Sequence, residues 1–195
     1  MSTTLPIEII AVITGLLAVY YSINQSMLLW ISGLISEVTY FIIFVKLRLF
    51  GDAFLQTVFL ATTLYGWYKW KVGQTVVHKL VVTSLTIKQS VYVFLASLMI
   101  FFLSAYCLKH YTNDTVPYLD ALITTLSITA QILLCYKIRE TWVYWILTNF
   151  FSVGIYAYKG IYLSSFLYFV FLIMAIEGLR KWSKETKRVT HSVMA

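Results

Sequence analysis

Runs of about twenty apolar residues, each closed by a short polar break, recur seven times along the chain. They fall at about 6–25, 28–47, 52–70, 90–108, 118–137, 141–159 and 161–180. A helix needs roughly 20 residues to cross a hydrocarbon core of about 30 Å. The pattern therefore predicts seven transmembrane helices joined by short connections. The longest connection, Lys71 to Gln89, is polar and reads as an interfacial loop. The polar tail from Ser183 to Ala195 reads as mobile.

Composition removes the soluble alternative. The chain is 60% hydrophobic and only 12% charged, with a mean hydropathy of +0.80, a balance that a soluble domain of this size does not carry. Many of its 15 Tyr and 6 Trp residues stand at the ends of apolar runs, where amphipathic rings favour the headgroup layer. The formal charge of +7 is carried by cations that flank those runs, which makes it a topology signal and argues against nucleic acid as a partner. One side holds the N-terminus with Lys46, Arg48, Lys109 and Lys159. The other holds Lys69, Lys71, Lys79, Lys88, Lys137, Arg139, Arg180, Lys181, Lys184, Lys187 and Arg188. The richer side is expected in the cytoplasm, with the N-terminus outside. The opening MSTTLPIEII lacks a basic stretch and carries Glu8, so the first run reads as a permanent helix.

A shift of 112 residues superimposes the first three runs on the last three without a gap. Trp30 meets Trp142, Phe54-Leu55 meets Phe166-Leu167, Gly66 meets Gly178, and Lys69-Trp70 meets Lys181-Trp182. Two units of three helices, turned parallel by a fourth span between them, give a 3+1+3 arrangement. The expected organisation is residues 1–70 as the first repeat, 71–112 as loop and linker helix, 113–182 as the second repeat, and 183–195 as a cytoplasmic tail. Parallel repeats of this kind build transporters whose substrate sits near the midplane at the repeat interface.

Glu37 is the acid nearest the middle of an apolar run, and Asn149 stands at the equivalent point of the second copy. A carboxylate at that depth costs roughly 2.5 kcal/mol or more on insertion scales, so it is kept where it meets a partner or water. Trp142, Trp145, Asn149 and Tyr156 share one helical face, as do Trp30, Gly33, Glu37, Tyr40 and Phe44. Aromatic faces with one central carboxylate suit a planar, cationic, aromatic solute. For Trp30 and Trp142 the simpler reading is an interfacial ring. Gln56 and Thr63 lie seven apart on one face, with Thr62 beside Thr63; they suit either substrate or helix packing. Glu177 is expected to pair with Arg180 or Lys181, Glu8 and Asp120 to be solvated or capping groups, and Asp52 to be a helix-start acid. His78, His110 and His191 fall in loops or the tail, Cys107 and Cys135 have no metal-ligand spacing, and no catalytic motif occurs. No metal or cofactor is expected.

The run Leu49-Phe50-Gly51-Asp52-Ala53-Phe54-Leu55-Gln56, followed by Leu64-Tyr65-Gly66-Trp67-Tyr68-Lys69-Trp70, resembles the LYGD…LQ…YGWYxW pattern of the PnuC family. Trp142, Trp145 and Asn149 are similar to its WxxWxxxN motif, and Ser152 and the ending Gly178-x-x-x-Trp182 also fit. The resemblance implies an all-α integral membrane protein with seven helices in a SWEET-like 3+1+3 fold, in the bacterial inner membrane. It implies vitamin uptake by facilitated diffusion, without ATP or a coupling ion, followed by trapping through a cytoplasmic kinase. It also admits a homotrimer, which no helix face displays. Members carry nicotinamide riboside, thiamine or riboflavin. Trp145, Asn149, Gln56 and Thr63 occupy positions that contact substrate in the family. The chain departs by carrying Glu37 and Glu177 where the riboside type commonly has Asn. The expected substrate is therefore thiamine, whose aminopyrimidine can pair with a carboxyl, ahead of nicotinamide riboside. A membrane sensor that binds the vitamin without moving it is the contrasting class.

Overall fold

The computed structural model describes residues 5–46, 50–73, 80–112 and 116–194. Seven helices follow in order: α1 (Leu5–Ile23), α2 (Leu28–Lys46), α3 (Phe50–Val72), α4 (Ile87–Tyr111), α5 (Pro117–Cys135), α6 (Thr141–Tyr158) and α7 (Tyr162–Met194). All seven fall where the apolar pattern predicts them. The five helices α1, α2, α4, α5 and α7 are long and apolar enough to cross a membrane. The other two, α3 and α6, are diluted by polar residues. Gln56, Thr57, Thr62 and Thr63 sit within α3, and Thr148, Asn149 and Ser152 within α6. Two of the three helices that carry the candidate site are thus the two outside those five.

Local chemistry sets the breaks. Gln25 turns the chain between α1 and α2 with φ 54. Thr86 and Gln89 form a reciprocal capping box that starts α4, satisfying two backbone donors that the helix leaves open. Pro117 opens α5, where its missing N–H is no loss. Gly160 follows α6 with φ 73, a conformation that costs glycine little.

The chain divides into two compact units, residues 1–80 and 81–195. In the first, α2 packs against both α1 and α3, and Ser36 Oγ donates to the Ala11 carbonyl at 2.9 Å. In the second, α4 packs on α5, α5 on α6, and α6 on α7. The segment ahead of α4 is strapped onto the α5–α6 turn. Thr83 N–H donates to the Lys137 carbonyl at 3.1 Å, Arg139 N–H donates to the Thr83 carbonyl at 2.8 Å, and Leu85 N–H donates to Glu140 Oε2 at 3.1 Å. Of the long connection expected as an interfacial loop, residues 74–79 lie outside the described part.

One packing unit occurs twice, 112 residues apart. In the first unit, Trp30 meets Trp70 edge-on with centroids 5.3 Å apart and planes at 89°. In the second, Trp142 meets Trp182 at 5.6 Å and 86°. All four rings are buried. Each first ring lies against a glycine: a Cβ on Gly66 would overlap atoms of the Trp30 ring, and one on Gly178 would come within 2.5 Å of the Trp142 ring. Trp30 and Trp142 are enclosed packing residues, because the glycine opposite leaves a slot that an indole fills.

The tail also differs from expectation. Residues 183–194 continue α7 as one helix of 33 residues, roughly 50 Å long at 1.5 Å per residue. Glu177 and Arg180 approach at 3.9 Å across one turn, both exposed, as the spacing predicts. Asp120 forms an unforeseen ion pair with Lys159 at 3.0 Å, and Asp52 occupies the first turn of α3.

Candidate functional site

In the first unit, α2 and α3 bring two sequence-predicted residues into contact. Thr63 Oγ1 donates to Glu37 Oε1 at 2.7 Å. Thr63 is 1% exposed, so this bond lies inside the packing of the two helices. Glu37 Oε2 is buried as well, and among the described residues it has no hydrogen-bond partner. One carboxylate oxygen is anchored and the other is open. Leaving a buried carboxylate oxygen unmatched is costly, so the open oxygen marks where a cation or donor would be stabilised. Gly33 lies one turn before Glu37, and an added Cβ there would make ordinary contact with Glu37 Oε1 and the Thr63 methyl at 3.8 Å.

The neighbouring residues extend the surface. Gln56 stands two turns before Thr63 on α3 and is half-buried. Tyr40 stacks on Phe44 with centroids 5.8 Å apart and planes at 19°. Thr62, beside Thr63, donates back to the Val58 and Phe59 carbonyls of its own helix at 2.9 Å.

In the second unit the equivalent point is Asn149, 5% exposed. Ser152, one turn later, is 1% exposed, and its Oγ has no partner among the described residues. The same holds for the hydroxyls of Thr148 on α6 and Thr125 on α5. Buried hydroxyls in a helix usually return a hydrogen bond to a carbonyl one turn back. Thr141 shows a comparable satisfied case across helices, donating to the Ala130 carbonyl at 2.7 Å. Sequence reading weighted Asn149 and passed over Thr125 and Thr148, whose hydroxyls are ordinary in any membrane helix. Trp145 is half-buried, one turn from Asn149, with its surface still in part accessible. Trp142 is not accessible in this way; its ring is taken up by Trp182 and Gly178. Tyr156 stacks almost parallel on Tyr168 at 5.0 Å and 8°, an aromatic pair that links α6 to α7.

No cluster of three or more His, Cys, Asp or Glu side chains suited to a metal occurs among the described residues. Glu37 with Thr63 in one unit, and Asn149 with Ser152 in the other, place charge and hydrogen-bonding groups at buried positions of largely apolar helices. Polar groups kept in such helices are costly and are by default candidate sites for a solute.

The comparisons with known proteins agree with that chemistry. The chain is 28% identical over 201 residues to the nicotinamide riboside transporter PnuC of Escherichia coli (strain K12), covering 90% of this chain and 84% of the relative. It is 25% identical to the riboflavin/roseoflavin transporter RibM of Streptomyces davaonensis, covering 96% and 89%. A crystal structure of the vitamin B3 transporter PnuC superimposes with a TM-score of 0.73 at 26% identity, covering 92% of this chain and 81% of the other. A family model described as nicotinamide mononucleotide transporter matches residues 5–184. A multi-pass helical chain whose relatives are vitamin transporters, matched over almost its whole length, belongs to the nicotinamide mononucleotide transporter family.

Proposed function

We propose that this protein takes up nicotinamide riboside across the bacterial inner membrane by facilitated diffusion. The single observation that carries the proposal is the Glu37 carboxylate, with one oxygen fixed by Thr63 and the other buried and open. Nicotinamide riboside is a flat pyridinium cation with a carboxamide and ribose hydroxyls. Glu37 supplies the countercharge, stronger where water is scarce. In the first unit, Gln56 offers donors and acceptors for the carboxamide and ribose, and Tyr40 offers a ring face to the pyridinium. Two relatives named as transporters of nicotinamide riboside and riboflavin support a ring-bearing riboside or ribityl vitamin. The riboside therefore replaces thiamine, which the sequence favoured because its aminopyrimidine can pair with the Glu37 carboxyl.

In this proposal each residue binds substrate and none breaks a bond, so the protein is a carrier and not an enzyme. Substrate leaves the cycle by phosphorylation in the cytoplasm. The C-terminus and the cation-rich loops face that compartment, the N-terminus the outside. The two repeats flank a linker helix in the 3+1+3 order.

Proteoliposomes loaded with buffer and supplied with labelled nicotinamide riboside, thiamine or riboflavin provide the test. Saturable riboside entry that stops at equal concentrations inside and out is the expected result. Saturable binding with no entry above that of empty vesicles would instead make the protein a sensor. Thiamine entry in preference to riboside would restore the second reading, which the carboxylate at position 37 favours.

A further inference from the structure

The last helix does not stop where its apolar run ends. Beyond that point Arg180, Lys181, Lys184, Lys187 and Arg188 follow one another at steps of one, three, three and one. At 3.6 residues per turn these five positions fall within an arc of about 120°. All five side chains are exposed. The opposite face is occupied differently: Trp182 is fully buried, and Thr186 Oγ1 donates to the Trp182 carbonyl at 3.0 Å.

Two carboxylates accompany the five cations. Glu177 comes within 3.9 Å of Arg180 and Glu185 within 4.0 Å of Arg188. Both pairs are at the outer limit of an ion pair and solvent-exposed, where such contacts contribute little. The stripe therefore keeps most of its positive potential. It also has relief. A shallow, open depression between side chains of this one helix is bounded by Glu177, Lys181, Lys184, Glu185 and Arg188.

Topology alone explains Arg180 and Lys181, since cations gather where a span leaves the membrane. It does not require Lys184, Lys187 and Arg188 to hold the same face for two further turns. Arg180 and Arg188 are separated by roughly 12 Å along the axis. The headgroup layer adds several ångströms to each side of the hydrocarbon, and the field of an anionic surface extends about 8 Å further at physiological salt. The whole stripe thus stands within reach of one leaflet's charge.

We propose that this face of α7 seats the phosphates of anionic phospholipids and pins the helix extension to the membrane surface. Lys181, Lys184 and Arg188 surround the depression and donate to phosphate oxygens, with Arg188 able to do so in bidentate fashion. Glu177 and Glu185 at its rim disfavour a small dianion such as inorganic phosphate. A singly charged phosphodiester meets less of that repulsion, and its diacylglycerol holds it at the right depth.

The test uses the full-length protein in nanodiscs of phosphatidylcholine, alone or with about 30% phosphatidylglycerol. Amide hydrogen exchange is followed over residues 180–194 by mass spectrometry. Exchange roughly threefold slower in the phosphatidylglycerol discs at about 0.15 M salt is expected, with the difference lost near 1 M. The K184Q/K187Q/R188Q variant should lose the difference while α5 and α6 exchange as before; if that variant fails to fold, K184Q/K187Q should show a reduced one. Equal exchange of the unaltered protein in both lipids overturns the proposal. So does equal slowing in phosphatidylcholine discs by inorganic phosphate, which would assign the face to a soluble anion.

Discussion

Replacing Gly178 by Ala inserts one methyl group where the structure has no room for it. The new Cβ would lie 2.5 Å from three atoms of the Trp142 ring, about 1 Å inside ordinary carbon–carbon contact. The ring cannot retreat easily: Trp142 is 2% exposed and is met edge-on by Trp182. Overpacking of this kind costs about 1–3 kcal/mol. Alanine recovers about 0.5–1 kcal/mol of helix propensity, which leaves a net loss on the order of 1–2 kcal/mol. For a chain of this size that lowers the melting midpoint by roughly 2–8 °C. Gly154, in the neighbouring helix, is the control, because a Cβ there meets nothing within 4 Å. Gly154→Ala should keep the propensity gain and raise the midpoint by roughly 1–4 °C. The assay is thermal unfolding in detergent followed by size-exclusion fluorescence. Gly66→Ala should fall with Gly178→Ala, since its Cβ would overlap the Trp30 ring. A Gly178→Ala protein as stable as the parent would refute the duplicated packing argument.

Two further predictions concern the first unit. Glu37→Gln keeps an oxygen for Thr63 and removes only the charge; affinity for cationic nicotinamide riboside should drop on the order of tenfold or more, while binding of neutral riboflavin stays put, both read by tryptophan fluorescence titration. Thr63→Val preserves shape and removes the donor to Glu37, so the midpoint should fall by several degrees, about what a hydrogen bond to a charged group contributes; in a double-mutant cycle with Glu37→Gln the two losses should be non-additive, and strict additivity would mean that the 2.7 Å contact carries no energy.

The fold was legible because membrane-spanning helices announce themselves by length and apolarity. All seven helices begin within a few residues of the apolar runs, and even α3 and α6, diluted by Gln, Thr and Asn, kept enough of the pattern. The register of the duplicated Trp–Gly packing was legible as well, because Trp and Gly are rare enough to mark it. What escaped was which surface a residue meets. Periodicity put Trp30 and Trp142 on an aromatic stripe, yet it holds no information on the glycine opposite that encloses them. It put Glu37 and Thr63 on separate helices as separate candidates; their bond needs the α2–α3 packing, which no single helix encodes. The tail was misjudged because polar residues fit a solvated helix as well as a mobile end. The charge of Glu37 suited a cation but did not separate two cationic vitamins; the proposal of the riboside draws on the names of relatives.

The strap ahead of α4 fixes where one half of the chain hands over to the other. Leu80 N–H is held by the Gly73 carbonyl at 2.7 Å, while Val82 is buried and Thr83 is bonded on both sides to the α5–α6 turn. Ownership of the backbone thus changes within two residues, at the boundary between Leu80 and Val81. A chain expressed as two polypeptides cut at that peptide bond would leave every one of these anchors within a single fragment. The site is therefore a natural place to split the gene, tag either half, or exchange one half for that of a relative with a different vitamin.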